Sequence, residues 1–235
     1  MHRNAGPWRG ISGNFDPISL AIALALLALL PLIAVMTTSF LKIAVVFALV
    51  RNALGVQQVP PNMALYGLAA ILSAYVMGPV VMQVGQELRA AREQPVVTTP
   101  VETPDRMGAM LDAVARGAEP VRGFMLRNSR AEQRDFFLRT AKHLWGEAAA
   151  RDLREDDIIV LVPAFVVSEL TAAFQIGFLL YLPFVIIDLI VSNILLAMGM
   201  MMVSPVTISM PLKLFLFVMI DGWTRLIQGL VLSYT

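Results

Sequence analysis

Five ionisable side chains stand alone within long apolar segments near the end of this sequence, and they are its first candidates for chemistry. They are Glu169, Asp188, Lys213, Asp221 and Arg225. An ionised group at the centre of a membrane costs about 2.5–3.5 kcal/mol on insertion scales, so such groups usually pair or line a cavity. Asp221 and Arg225 are four residues apart, so they could pair on one helical face. Lys213 is then expected to pair with Asp188 or Glu169, within one chain or across an interface. The alternative interpretation is that these charges simply mark the boundaries of membrane segments.

A run of three methionines, Met200 to Met202, lies between these charges. Three adjacent thioether side chains cannot all point to one face of a helix, but on a loop they supply soft, adaptable apolar bulk. Gly199, Pro205 and Pro211 surround the run and predict an irregular turn there. Plain core filling is one interpretation of the methionines. The other is an apolar constriction, which can close a hole by excluding water.

The sequence lacks the patterns of catalytic and cofactor sites. It contains neither a GxxxxGK[ST] phosphate loop nor a GxGxxG segment after a strand. His2 and His143 are far apart and have no acidic partners at ligand spacing, so no metal site is predicted. We therefore expect a protein that is not an enzyme and that uses no cofactor.

The composition is that of a membrane protein. The 235 residues are 57% hydrophobic and 15% charged, with a mean hydropathy of +0.71, whereas soluble domains are about 45–50% apolar and about 25% charged. A net charge of +1 argues against nucleic-acid binding, which requires a basic face. Cysteine is absent, so the redox compartment cannot be inferred.

The charges divide the chain into three segments. Between Gln86 and Asp157 lie 13 of the 17 acidic and 12 of the 18 basic residues. The sequence therefore predicts an all-α protein with an apolar helical hairpin over 1–85, a polar helical insert over 86–157 and a second apolar hairpin over 158–235.

The first apolar hairpin is predicted from two uncharged runs. Residues 18–41 are long enough to span a membrane, which takes about 20 helical residues, and too long for the core of a signal peptide. Lys42 and Arg51 are expected to lie in a short loop after this helix, which the positive-inside rule assigns to the cytoplasm. The second run, residues 63–84, contains a Gly78–Pro79 pair that predicts a kink. The insert would then lie on the periplasmic side.

The second apolar hairpin contains the methionine run. We expect a helix to about Ala197, an irregular turn, and a short helix from Lys213 toward Leu232. Irregular backbone at membrane depth requires surrounding protein or a water-filled cavity. The turn is thus expected to face a lumen or a subunit interface.

Two N-cap signals predict where the helices of the insert begin. Thr103 followed by Pro104 is a possible cap and first helical position. Ser129 with Glu132 has the spacing of a capping box. The helices that follow are amphipathic and suited to packing against neighbours.

Two stretches of the chain closely resemble the SctR/FliP family of type III secretion export-apparatus subunits. They are TSFLKIAVVFALVRNALGVQQVPPNMALYGLAAIL, from Thr38 to Leu72, and PFVIIDLIVSNILLAMGMMMVSPVTISMPLKLFLFVMIDGW, from Pro183 to Trp223. The QQVPPNMALYG segment is more similar to virulence-type injectisome members than to flagellar ones. With residues 163–178, these stretches cover most of the apolar chain.

The resemblance implies an inner-membrane subunit that forms a homo-oligomeric ring, a pentamer, completed by SctS-type and SctT-type partners. It implies that unfolded secretion substrates pass through the ring and that Met200 to Met202 form a gasket in its pore. It also implies bent hairpins that pack on one another in a cone, in place of four straight spans. The alternative from the residues alone is an independent ion-coupled transporter or channel that uses Glu169 and Asp188. A proton relay and a membrane scaffold without a pore are further possibilities.

Overall fold

The computed structural model describes residues 17–56, 59–93, 106–146 and 148–235, and every regular element in this part of the chain is a helix. The eight helices are α1 Pro17–Thr37, α2 Phe40–Leu54, α3 Asn62–Glu93, α4 Arg106–Asn128, α5 Ala131–Trp145, α6 Ile158–Ala197, α7 Pro205–Met219 and α8 Gly222–Leu232. The predicted all-α fold with apolar membrane-type helices is confirmed.

Two helices are long and apolar enough to cross a membrane without interruption. They are the first 29 residues of α3, Asn62–Ala90, and the whole of α6, which has 40 residues. Two further pairs of helices reach this length and hydropathy only when the two helices of a pair, which are joined at a bend, are counted as one span. The pair Leu27–Thr37 and Phe40–Leu54 bends by 67°, and the pair α7 and α8 bends by 61°. Among the described residues, the apolar helices therefore comprise two long helices and two bent pairs.

The first bend corrects the prediction for Lys42 and Arg51. Both residues lie inside α2 rather than in a loop, because the apolar run breaks at Thr38–Ser39 and resumes as a helix. The hydroxyls of Thr37 and Thr38 donate hydrogen bonds to the carbonyl oxygens of Ile33 and Ala34, at 2.8 and 2.6 Å. Such back-bonding competes with the helical backbone and often bends a helix.

The second bend corrects the predicted course of the C-terminal hairpin. The helix does end at Ala197, but the next helix begins at Pro205. Proline is favourable in the first turn of a helix, because the backbone N–H that it lacks would have no partner within the helix there. Lys213 lies within this helix, and Pro211 lies within it as well and does not shape the turn. A second interruption, the bend between α7 and α8, lies at Asp221, which has a positive φ of 55°.

The core is built around α2, which is covered by α3, α6, α7 and α8. Its buried side chains include Ile43, Val46, Phe47 and Val50. Gly177 lets α6 approach closely, because a Cβ added there would lie 2.3 Å from the Leu49 Cδ1 atom. Small residues at such contacts allow helix backbones to pack closely in membranes.

The insert packs against the apolar helices through a second, smaller core. Phe124 and Met125 of α4 are buried against Met77 of α3 and Phe165 of α6. The capping box predicted at Ser129 is wrong: α5 begins at Ala131, after Arg130 as the N-cap, and the Ser129 hydroxyl donates to the Leu126 carbonyl oxygen. The Thr103–Pro104 prediction lies outside the described residues.

Candidate functional site: buried charges and a methionine loop

A buried ion pair joins α2 to α6. The Lys42 ammonium lies 3.3 Å from Glu169 Oε1, and the two side chains are 5% and 3% exposed. Removing both charges from water is costly, and their attraction offsets this cost only if the remaining hydrogen-bonding sites are also occupied. Glu169 was one of the two acids predicted as partners of Lys213. It is paired instead with Lys42, which was expected in a loop.

Tyr234 completes this pair from the segment after α8. Its hydroxyl donates a hydrogen bond to Glu169 Oε2 and lies 3.4 Å from the Ser39 carbonyl oxygen. Its ring lies under the Lys42 ammonium, which is 3.7 Å from the ring centroid, a cation–π geometry. The ring also stacks on Phe124 of the insert at 5.9 Å. One residue therefore ties α2, α6 and the insert together.

A second ion pair joins α6 to α7. Lys213 Nζ lies 2.6 Å from Asp188 Oδ2, and the Ser209 hydroxyl donates to Asp188 Oδ1 at 2.5 Å. Lys213 also donates to the carbonyl oxygen of Ala53 at the end of α2, at 3.4 Å. The two partners differ in burial, since the Lys213 side chain is 5% exposed and Asp188 is 32% exposed. Of the two acids considered for Lys213, the structure pairs it with Asp188.

The structure does not form the predicted pair between Asp221 and Arg225. Within the described part of the chain, no ion pair joins these side chains, and Asp221 Oδ1 instead accepts a hydrogen bond from the Thr224 hydroxyl at 3.0 Å. Asp221 adopts a left-handed conformation at the N-cap of α8, so it is not on the regular helix that the i, i+4 spacing assumes.

The methionine run forms an exposed loop between α6 and α7. Gly199 adopts a φ of +73°, which glycine reaches at little cost. The exposed fractions of Met200, Met201 and Met202 are 42%, 81% and 101%. Within this chain the three methionines are thus not core residues. They form an adaptable apolar tip.

Three contributors to these pairs were not predicted from the sequence: Lys42, Tyr234 and Ser209. Lys42 was assigned to a loop because the apolar run was expected to end before it. A signal was nevertheless present, since helical spacing puts it among Ile43, Val46 and Val50 on a segment without any acid. Tyr234 and Ser209 carried no local signal, because a single hydroxyl in an apolar segment is compatible with many roles.

The arrangement is suited to holding helices together rather than to covalent chemistry. Each lysine of the apolar bundle faces one carboxylate, and each carboxylate accepts an additional hydroxyl hydrogen bond. Among the described residues, no group of three or more His, Cys, Asp or Glu side chains is placed to hold a metal ion. In the part of the chain that the structure describes, the methionine loop and much of the apolar helix surface are exposed.

Comparison with known proteins extends the resemblance over nearly the whole chain. The FliP family model matches residues 23–230. Yop proteins translocation protein R of Yersinia pestis is 56% identical over 219 residues, which cover 93% of this chain and 97% of that protein. Virulence protein YscR of Salmonella typhimurium is 47% identical over 220 residues, covering 94% and 98%. Harpin secretion protein HrcR of Erwinia amylovora is 44% identical over 221 residues, covering 94% and 98%.

These relatives are type III secretion proteins of the virulence type, as the QQVPPNMALYG segment predicted. The range that the family model matches, residues 23–230, includes the charge-rich middle of the chain as well as the apolar helices on either side of it. The resemblance seen in the sequence is confirmed, and the chain belongs to the FliP family of type III secretion export proteins.

Proposed function

We propose that this chain is a ring-forming subunit of the export gate of a virulence type III secretion system. Several copies, by resemblance five, surround a pore through which unfolded substrates leave the cytoplasm, and SctS-type and SctT-type subunits complete the assembly in the inner membrane. The polar insert would lie on the periplasmic side. Met200, Met201 and Met202 would seal the pore as a gasket.

The observation that carries this proposal is the exposure of the methionine loop. An apolar tip that is 81–101% exposed at Met201 and Met202 costs free energy in water unless something covers it. Around a symmetry axis, copies of the loop would cover one another. Because thioether side chains are flexible and lack hydrogen-bonding demands, they can exclude ions at rest and part for a passing chain.

The charge pairs support a fixed frame around this loop. Lys213 links α7, which follows the loop, to Asp188 of α6 and to the end of α2. Gly199 provides the left-handed turn at one end of the loop, and Pro205 begins the helix at the other. A transporter that used Glu169 and Asp188 would need these carboxylates to release their partners, whereas both are held by lysines and hydroxyls.

The test is the ion conductance of the assembled complex in a membrane. We expect replacement of all three methionines, Met200, Met201 and Met202, by alanine to raise resting conductance while leaving the native mass of the complex unchanged. A matched control replaces three exposed methionines elsewhere by alanine, namely Met63, Met82 and Met219. Equal conductance of the loop variant and the control, in complexes of wild-type mass, would refute the gasket.

A further inference from the structure

An apolar groove opens on the bundle surface between α2, α6, α7 and α8. It has a volume of about 330 Å³, within the range of roughly 300–1,000 Å³ found for small-molecule pockets. Its walls include Leu180 and Phe184 of α6, Ile220 after α7, and Leu226 of α8. Among the residues that line it, all of them described, the one charged side chain belongs to Arg225.

Arg225 has no acidic partner in the described part of the chain. It is exposed, and the acid nearest in sequence, Asp221, is hydrogen-bonded to Thr224 instead. Lys42 and Lys213, the two lysines of the apolar hairpins, each have a carboxylate partner. Arg51 of α2 donates to the Asn62 side-chain oxygen and the Pro60 carbonyl oxygen. A cation on an apolar membrane-type surface calls for a counter-charge, because leaving it unpaired there is costly.

We propose that this groove binds a phospholipid, with one acyl chain along its apolar walls and an anionic head group on Arg225. A guanidinium presents its N–H donors in a fork that matches two phosphate oxygens. Basic positions between membrane helices are established sites for anionic lipid head groups. The two parts of the ligand thus correspond to the two chemical parts of the groove.

The chemistry of the walls favours an acyl chain over an extended peptide. A peptide strand would bring backbone N–H and C=O groups that need partners in an apolar site. Apart from Arg225, the lining consists of apolar side chains and two glycines, Gly222 and Gly229. A hydrocarbon chain makes no such demand. Lipid occupancy of the groove is measured independently of conductance, so the two proposals can fail separately.

Two variants separate the head-group contact from the groove itself. Arg225→Gln removes the cation and keeps a shorter, polar side chain. Gly229→Leu adds bulk at the wall of the groove, which Gly229 lines, and the backbone can accept it because a Cβ added there meets no atom within 4 Å. Gly67→Leu is the matched control, since a Cβ on Gly67 also enters open space but lies outside the groove.

The experiment counts bound lipid by native mass spectrometry. The full chain, with any partners that co-purify, is exchanged into nanodiscs containing equal amounts of phosphatidylglycerol and phosphatidylcholine, then released and weighed. We expect the wild-type chain to retain phosphatidylglycerol preferentially. Arg225→Gln should lower the ratio of retained phosphatidylglycerol to phosphatidylcholine by about tenfold, as expected for the loss of one charge-assisted contact. Gly229→Leu should lose both lipids, and Gly67→Leu should match the wild type.

Two results would overturn the proposal. One is an unchanged lipid ratio in Arg225→Gln. The other is a wild-type chain that carries no bound lipid, together with a Gly229→Leu variant whose oligomeric mass is lower than that of the wild type. That result would mean that a second copy of the chain covers the groove. If Gly229→Leu does not fold, Arg225→Gln still decides the head-group contact, because that side chain is exposed and has no acidic partner among the described residues.

Discussion

Replacing Lys42 by methionine is expected to destabilise the folded chain by about 3 kcal/mol. Breaking a buried ion pair by removing one partner costs about 3–5 kcal/mol, because the other charge is left uncompensated. In this structure Glu169 is 3% exposed but keeps its hydrogen bond from Tyr234, which places the loss at the lower end of that range. About 3 kcal/mol corresponds to roughly a hundredfold change in the folding equilibrium.

The same change at Lys213 provides an internal comparison. Its partner Asp188 is 32% exposed and keeps a hydrogen bond from Ser209, so water can solvate the carboxylate that remains. We expect Lys213→Met to cost about 1–2 kcal/mol, as for a partly solvated group that loses one charged hydrogen bond. The order of the two losses therefore follows the burial of the acid, since the two lysines are equally buried.

The assay is reversible unfolding of the purified chain in mixed micelles, followed by the fluorescence of its tryptophans. A double variant, Lys42→Met with Glu169→Leu, extends the test. Replacing both members of a buried pair by apolar residues is often neutral or stabilising, so the double variant should be more stable than Lys42→Met alone. If Lys42→Met and Lys213→Met are equally destabilising, or the double variant shows additive losses, the reasoning from burial is wrong.

Two further substitutions test the packing and hydrogen bonds around the same core. Gly177→Ala should destabilise the chain by about 1–3 kcal/mol through overpacking, because the new Cβ would lie 2.3 Å from Leu49 Cδ1; the thermal midpoint in detergent measures this. Tyr234→Phe should cost about 1.5–3 kcal/mol, as for a hydrogen bond to a charged group, because it removes the donor to Glu169 and leaves the ring in place; the same unfolding titration measures this.

Each of these substitutions has a control on an exposed face of α3. Gly67→Ala adds a Cβ that meets no atom within 4 Å, and Tyr75→Phe removes a hydroxyl from a ring that is 73% exposed. Tyr75→Phe should leave stability within about 0.5 kcal/mol of the wild type. Gly67→Ala should leave it equal or raise it by up to about 1 kcal/mol, because alanine is favoured over glycine inside a helix. A buried-site variant that is as stable as its control would contradict the contact assigned to it.

Much of the fold could be predicted from the sequence because the relevant signals are local. Long apolar runs predict helices, and the helix that Gly199 and Pro205 predicted to end at about Ala197 does end there. Gly199 marks the left-handed turn before the three methionines. The concentration of charge over residues 86–157 separates the helices of the insert from the apolar hairpins, although the boundaries of these three segments remain a prediction.

The helix breaks were harder to predict because an apolar run does not specify where its backbone bends. The run expected to end at Leu41 instead bends by 67° and continues through Lys42 to Leu54. The helix expected to begin at Lys213 begins eight residues earlier, at Pro205. A charged residue such as Lys42 ends an uncharged run in the sequence. It does not end the helix, because Glu169 is available to neutralise it.

The sequence by itself determined the helical class, the family and the position of the methionine turn. Only the tertiary structure decided which charges meet. Lys42 and Glu169 are 127 residues apart along the chain, and Tyr234 reaches the same carboxylate from the segment after α8. Asp221 and Arg225, which are neighbours by helical spacing, do not pair. Ion pairing depends on distance and burial in three dimensions, and neither quantity is contained in the spacing of residues along one helix.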